Sequence, residues 1–240
     1  MRSFFLALRF LTRLPFPDQG TVSNAQLGCS VLYYPVAGLM IGGMLWLFGL
    51  LVQSFSVNFQ AASILTFWVL LTGGLHLDGL ADCTDAWIGG MGDKLRSLAI
   101  MKDPAAGPMA VVMLVLLLLM KWTLIAECLI NNSRLLLLLT PAMGRLSILA
   151  LMLTAPYVRE EGLGEKLVSG MPRKPAWLIL VLGVIAAALS IGVFPVIAGV
   201  GVFFMVRAIA AERLGGATGD VYGACVELTE VAVLMAAVAP

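Results

Sequence analysis

The stretch "GGLHLDGLADCTDAWIGG", residues 73–90, gathers Asp78, Asp82, Asp85 and the chain's single histidine, His76. On a helix the three aspartates are spaced i, i+4, i+7 and point within about 60° of one another. Like charges on one face repel and raise one another's pKa. A divalent cation removes that repulsion. Magnesium takes hard oxygen ligands, typically one or two carboxylates together with substrate phosphates. The cluster therefore predicts a Mg2+ site. The plainer reading is a solvated helix face, but such a face would mix in lysines, and none occurs between residues 14 and 93. Gly73, Gly74 and Gly79 allow close backbone approach, which suits a bulky ligand. His76, two residues before Asp78, is a candidate base or substrate contact, set against the plainer role of a hydrogen-bonded structural residue.

Three more places carry chemistry. In "LAIMKDPAAGP", residues 98–108, Pro104 restricts Asp103 away from helical geometry, so Lys102 and Asp103 are expected in a loop. Lys102 could hold a phosphate as a point charge, and Asp103 could be a fourth metal ligand. In "GGATGDVYGACVELTE", residues 215–230, Gly215, Gly216 and Gly219 surround Thr218 and Asp220. Backbone N–H groups left free by glycines bind anionic oxygens; the plainer reading makes Asp220 the N-terminal cap of a helix. Glu227 and Glu230 follow on that helix beside an apolar tail, where carboxylates are costly unless they serve something. Arg145 interrupts the apolar run "TPAMGRLSILALML" and is expected either to pair with Glu127 or to reach an anionic substrate. The charged stretch "YVREEGLGEKLVSG", residues 157–170, reads as a solvated loop.

The elements that must position these residues are membrane helices. The chain has 240 residues, 60% hydrophobic and 12% charged. Soluble domains carry about 25% charged residues, so lipid is the better solvent. A span needs about 20 mostly apolar residues. Candidates are 31–52, 61–77, 109–130, 135–154, 176–194, 195–211 and 228–239, about seven in all, in one all-α domain covering residues 1–240. At the N-terminus, Arg2, Arg9 and Arg13 fall on one helical face, which predicts an amphipathic segment on the membrane surface, its arginines toward headgroups or a ligand. With that end cytoplasmic, of fifteen Lys and Arg only Lys121, Arg134 and Arg145 lie inside spans or outside the cell, leaving twelve on the cytoplasmic side. This is a positive-inside bias, and the acidic clusters share that face. A net charge of +1 gives no reason to expect a nucleic-acid partner. The four cysteines are far apart and read as apolar fillers.

Carboxylates, glycines and basic residues on one membrane face are the equipment of Mg2+-dependent phosphoryl transfer. No GxxxxGK[ST] pattern is present. The motifs also resemble a known family. "FLTRLPFP", "GGLHLDGLADCTDA", "IMKD", "REEGLG" and "GGATGD..GA..ELTE" run in order from about residue 4 to residue 232 and are similar to those of the cobalamin synthases, or adenosylcobinamide-GDP ribazoletransferases. The resemblance implies a late step of vitamin B12 synthesis in the bacterial inner membrane. In it the 3′-hydroxyl of α-ribazole, or of its 5′-phosphate, attacks the cobinamide-side phosphorus of adenosylcobinamide-GDP, and GMP leaves. It implies that Asp78, Asp82 and Asp85, with Asp103 as a fourth, hold Mg2+ against the pyrophosphate. Lys102 would neutralise phosphate, and Asp82, another carboxylate or His76 would take the hydroxyl proton. The chain departs from the family pattern at Ala86 and Ala110, where glycine is usual, at Ala99, where glutamate is usual, and at Pro104, where serine is usual. CDP-alcohol phosphotransferases also string aspartates along a span end, but Asp82 falls where their pattern has alanine. Transporters place acidic cation sites near the midplane in broken helices, whereas these lie at helix ends and in loops.

Overall fold

The computed structural model describes residues 2–16, 20–159 and 162–239. Glu160 and Glu161 of "REEGLG" and Pro17 of "FLTRLPFP" lie outside them. The described residues are helical throughout, with one isolated parallel bridge between Tyr157 and Ala217. The first helix, α1 (Arg2–Leu11), is amphipathic: Arg2 and Arg9 are exposed, while Ala7, Leu8 and Leu11 are buried. It ends before Arg13, which therefore does not share the helical face expected of it. Instead the Arg13 backbone N–H donates to Leu71 O at 2.8 Å, tying the chain to the end of a later helix.

The first span runs over 24–51 as α2 (Asn24–Ser30), a tight turn at Val31–Tyr33, and α3 (Tyr34–Leu51). Ser23 and Gln26 form a reciprocal cap at its start. Next come α4 (Val57–Thr72) and α5 (Leu75–Gly89), then the short α6 (Lys94–Ile100) and the long α7 (Pro108–Ile130). After these follow α8 (Leu135–Thr154), α9 (Leu163–Gly170), α10 (Arg173–Ile191), α11 (Val193–Leu214) and α12 (Gly219–Val238). Among the described residues six spans are long and apolar enough to cross a membrane, or seven if the pair of α4 and α5, bent by 87°, is counted as one. The chain is thus an all-α polytopic membrane protein with about seven spans, as its composition predicts.

Three element boundaries differ from expectation. The 61–77 span ends at Thr72, because Gly73 and Gly74 both take left-handed backbone (φ 65° and 68°). That conformation is cheap only for glycine, and it turns α5 away from α4. We read α4 as the spanning arm and α5, with its three aspartates, as lying beyond it. Second, α12 starts at Gly219, nine residues before the expected 228, and so draws Glu227 and Glu230 into the bundle. Third, the 155–175 region read as a loop contains α9.

Helix α8 is the centre of the bundle, with Thr140 to Leu153 buried. It packs against α3, where Gly38 and Gly42 form a G-x-x-x-G stripe; a Cβ at Gly42 would collide with the Leu138 carbonyl. Without a hydrophobic drive in lipid, such close backbone approach is what holds helices together. At the other end of α8 the last carbonyls are satisfied by arginines: Arg173 donates to Leu153 O at 2.6 Å and Arg207 to Thr154 O at 3.1 Å.

Candidate active site

The chemistry-bearing residues meet where α5 crosses the start of α12. Gly79 makes the crossing possible: a Cβ there would lie 2.7 Å from Asp220 O. Its lack of a side chain serves helix contact, not the bulky ligand expected from sequence. Thr218 caps α12 by accepting from Val221 N at 3.3 Å, so the cap is Thr218 and not Asp220. Asp220 is freed to face outward in the first turn of the helix. The segment before α9 is held beside this turn by Ala217 N–H donating to Pro156 O at 2.8 Å and Val158 N–H donating to Ala217 O at 3.0 Å. Arg159 is thereby delivered to Asp220, its Nη2 donating to Oδ2 at 2.9 Å.

These elements enclose a cavity of about 240 Å3. Asp78, Asp220, Arg159 and Gly219 line its polar side. Its remaining wall is aromatic and aliphatic: Phe10, Tyr34, Tyr157, Tyr222, Leu75, Ile148, Met152 and Leu167. His76 also lines it; the residue is 5% exposed, and its Nε2 has no hydrogen-bond partner.

The four expected metal ligands do not form one cluster. Asp78 faces this cavity, whereas Asp85, two turns farther along α5, lines with Asp103 a second one of about 370 Å3. Both Asp85 oxygens are already engaged at the start of α7, Oδ2 accepting from Gly107 N at 2.6 Å and Oδ1 from Ala110 N at 3.0 Å. A carboxylate there satisfies amides that have no helical partner and complements the helix dipole. Asp103 Oδ1 accepts from Ala105 N at 2.9 Å, shaping its own loop. Among the described residues no three His, Cys, Asp or Glu side chains are already arranged to hold a metal ion. Asp82 is half-buried, and its pKa is raised to about 7. Burial is the main cause, followed by the charges of Asp220 and Asp78, with Arg159 opposing. Asp78, Asp82 and Asp220 therefore share one field that is short of positive charge.

Several expected substrate contacts lie elsewhere. Arg145 is fully buried and pairs with Glu230 (Nη1 to Oε1, 2.6 Å) rather than with Glu127, which is exposed. The reason is that α8 packs on α12, not on the end of α7 that carries Glu127. Glu227 is engaged by Lys121, whose Nζ lies 2.6 Å from Glu227 Oε2 and 2.6 Å from Glu230 Oε2. These four side chains form a charge-balanced group inside the bundle, so Arg145 is occupied with α12 and Glu227 with α7. Arg13 lies over the α4–α5 bend against Gly73. Lys102 is exposed and lines neither cavity. Gly216 is packed against Pro156 O, where a Cβ would clash. Gly219, Thr218 and Asp220 are at the site, as expected.

Three residues at the site were not singled out from sequence. Arg159 sat in a stretch read as solvated, and its signal was its place at the head of REEGLG, one of the motifs that carry the family resemblance. Tyr157 and Tyr222, whose ring centroids are 6.1 Å apart, gave no signal beyond being aromatic near a glycine-rich turn. Burial also raises the Tyr157 pKa, keeping the phenol protonated.

Residues 3–238 match the family model described as cobalamin-5-phosphate synthase. A Pseudomonas entomophila (strain L48) protein named adenosylcobinamide-GDP ribazoletransferase is 46% identical over 238 residues, covering 98% of each chain. A protein of the same name from Stutzerimonas stutzeri (strain A1501) is 47% identical over 238 residues, covering 98% of this chain and 97% of its own. No solved structure matches. On a match that spans nearly every residue, the chain belongs to the cobalamin-5-phosphate synthase family.

Proposed function

We infer that the chain is an adenosylcobinamide-GDP ribazoletransferase. The observation that carries this reading is the lining of one cavity by Asp78, Asp220 and Arg159, with Asp82 in the field of all three, in a chain whose full-length relatives bear that name. In the reaction the 3′-hydroxyl oxygen of α-ribazole, or of its 5′-phosphate, forms a bond to the cobinamide-side phosphorus of adenosylcobinamide-GDP. The bond between that phosphorus and the bridging pyrophosphate oxygen breaks, and GMP leaves with the bridging oxygen. The hydroxyl proton goes to a base. Asp82, half-buried beside Asp78 and Asp220, is the carboxylate assigned to that task.

The same three carboxylates, Asp78, Asp82 and Asp220, suit Mg2+: hard oxygen donors in excess of local positive charge. When bound, the ion would neutralise the pyrophosphate and the leaving GMP. Asp85 and Asp103 stand apart from this set, the first fixing the start of α7. Arg159 is the fixed cation beside the transferred group, able to exchange Asp220 for a phosphate oxygen. His76 acts from the cavity side as a buried substrate contact. The positive-inside count supports an active face toward the cytoplasm, and so an inner-membrane enzyme. The test is GMP release by protein in liposomes supplied with adenosylcobinamide-GDP and Mg2+. Release that requires α-ribazole and stops with EDTA is expected. Release that ignores the ribazole, or none at all from folded protein, would refute the reading.

A further inference from the structure

Asp78 and Asp220 line one side of the cavity, and the rest of its wall is of a different character. Two aromatic pairs line it: Phe10 and Tyr34, with centroids 6.1 Å apart, and Tyr157 and Tyr222, also at 6.1 Å. Ile148 and Met152 add an aliphatic wall. Set into this apolar room, besides the likewise unpartnered Tyr34 hydroxyl, are two buried polar groups without partners, the His76 Nε2 and the Tyr222 hydroxyl, each on a residue 5% exposed. An unsatisfied buried polar atom costs about 1–3 kcal/mol, so such a pair in a cavity wall points to a ligand that satisfies it.

Size and chemistry narrow the ligand. Pockets for drug-sized molecules run to about 300–1,000 Å3, and this one, at about 240 Å3, is smaller. It admits one nucleoside and excludes a corrin macrocycle. Two nucleosides take part in the reaction inferred above. Guanine carries donors and acceptors around its whole edge, and these would be stranded against Phe10, Ile148 and Met152. The benzimidazole of a ribazole is flat and apolar apart from one ring-nitrogen acceptor, and either a tyrosine hydroxyl or an imidazole N–H can donate to it. We propose that this cavity is the pocket of the acceptor's heteroaromatic base, with Tyr222 donating to the ring nitrogen and His76 meeting a hydroxyl of the attached ribose. The ribose is directed toward the carboxylates on the polar side, and the cobinamide and guanosine remain outside.

This assignment rests on the transferase reading, and the experiment separates the two. Initial rates of GMP release are measured in liposomes while α-ribazole and adenosylcobinamide-GDP are varied in turn. The wild type is compared with Tyr222→Phe and His76→Gln, and α-ribazole binding alone is followed by equilibrium dialysis. Each variant is expected to raise the KM and Kd for ribazole about tenfold, the effect of one lost hydrogen bond, and to leave the KM of the donor unchanged. A rise confined to the donor KM would put guanosine in the cavity and overturn the proposal. Unchanged constants for both substrates in both variants would overturn it as well. If the wild type releases no GMP, the transferase reading fails, and dialysis still decides the pocket: ribazole binding weakened in Tyr222→Phe supports it, and no binding overturns it.

Discussion

Asp82 and Asp85 are three positions apart on α5 and meet different surroundings. Asp85 has both oxygens on amides at the start of α7; Asp82 has its charge resisted by Asp220 and Asp78. Asp85→Asn keeps one acceptor and loses the other. It is expected to cost about 1–2 kcal/mol of stability, as lost caps do, seen as a lower melting temperature in detergent, with turnover per folded molecule retained. Turnover abolished at normal stability would make Asp85 a metal ligand after all. Arg159 differs again, since its guanidinium already sits 2.9 Å from Asp220. Arg159→Gln should lower kcat/KM by about 10- to 100-fold through lost charge stabilisation, read from initial rates. Lys102→Gln, altering an exposed residue outside both cavities, should change rates little.

Among elements, the pair α3 and α8 depends on two residues. Gly42→Leu forces a side chain into the Leu138 carbonyl, and the expected result is loss of monodisperse protein on size exclusion in detergent. Gly43→Leu, one position on, meets only the Leu138 side chain at 3.9 Å and should be tolerated. If both variants behave alike, the close approach is not what holds the helices. The bend at Gly73 and Gly74 and the early start of α12 explain what sequence reading could not supply. Hydropathy marks where a chain is apolar, and it marked α7, α8, α10 and α11 well. It does not distinguish a residue facing lipid from one facing another helix, because both are apolar. For that reason α12 read as a short tail: Glu227 and Glu230 made its first half look solvated, whereas Lys121 and Arg145 supply their charge partners from two other helices. The aspartates on α5 were legible from spacing alone. Their division between two cavities was not, since it depends on α12 meeting α5 near Gly79 and the start of α7 meeting it at Asp85, two turns farther along. Arg159 heads a quoted motif, but its place at the site was not legible, because only the pairing of Ala217 with Pro156 and Val158 brings its loop there.

Across the whole molecule, two properties follow from the distribution of charge. The group formed by Lys121, Glu227, Glu230 and Arg145 is balanced inside the bundle, and breaking a buried pair by removing one partner costs about 3–5 kcal/mol. Lys121→Met is thus expected to destabilise the protein strongly in a detergent melt, and Glu227→Gln combined with it to restore part of the loss. Destabilisation that simply adds would mean that the two groups are not coupled. The second property is sidedness: in the proposed topology the carboxylates share the face that carries the arginine and lysine excess. The central claim remains that Asp82 serves the transfer itself. The most direct measurement is Mg2+-dependent GMP release from adenosylcobinamide-GDP and α-ribazole, by wild type and Asp82→Asn in liposomes at matched amounts of folded protein. The account predicts a fall of about 100-fold or more, the scale of a lost general base, with the melting temperature unchanged. Near wild-type release from Asp82→Asn would contradict it.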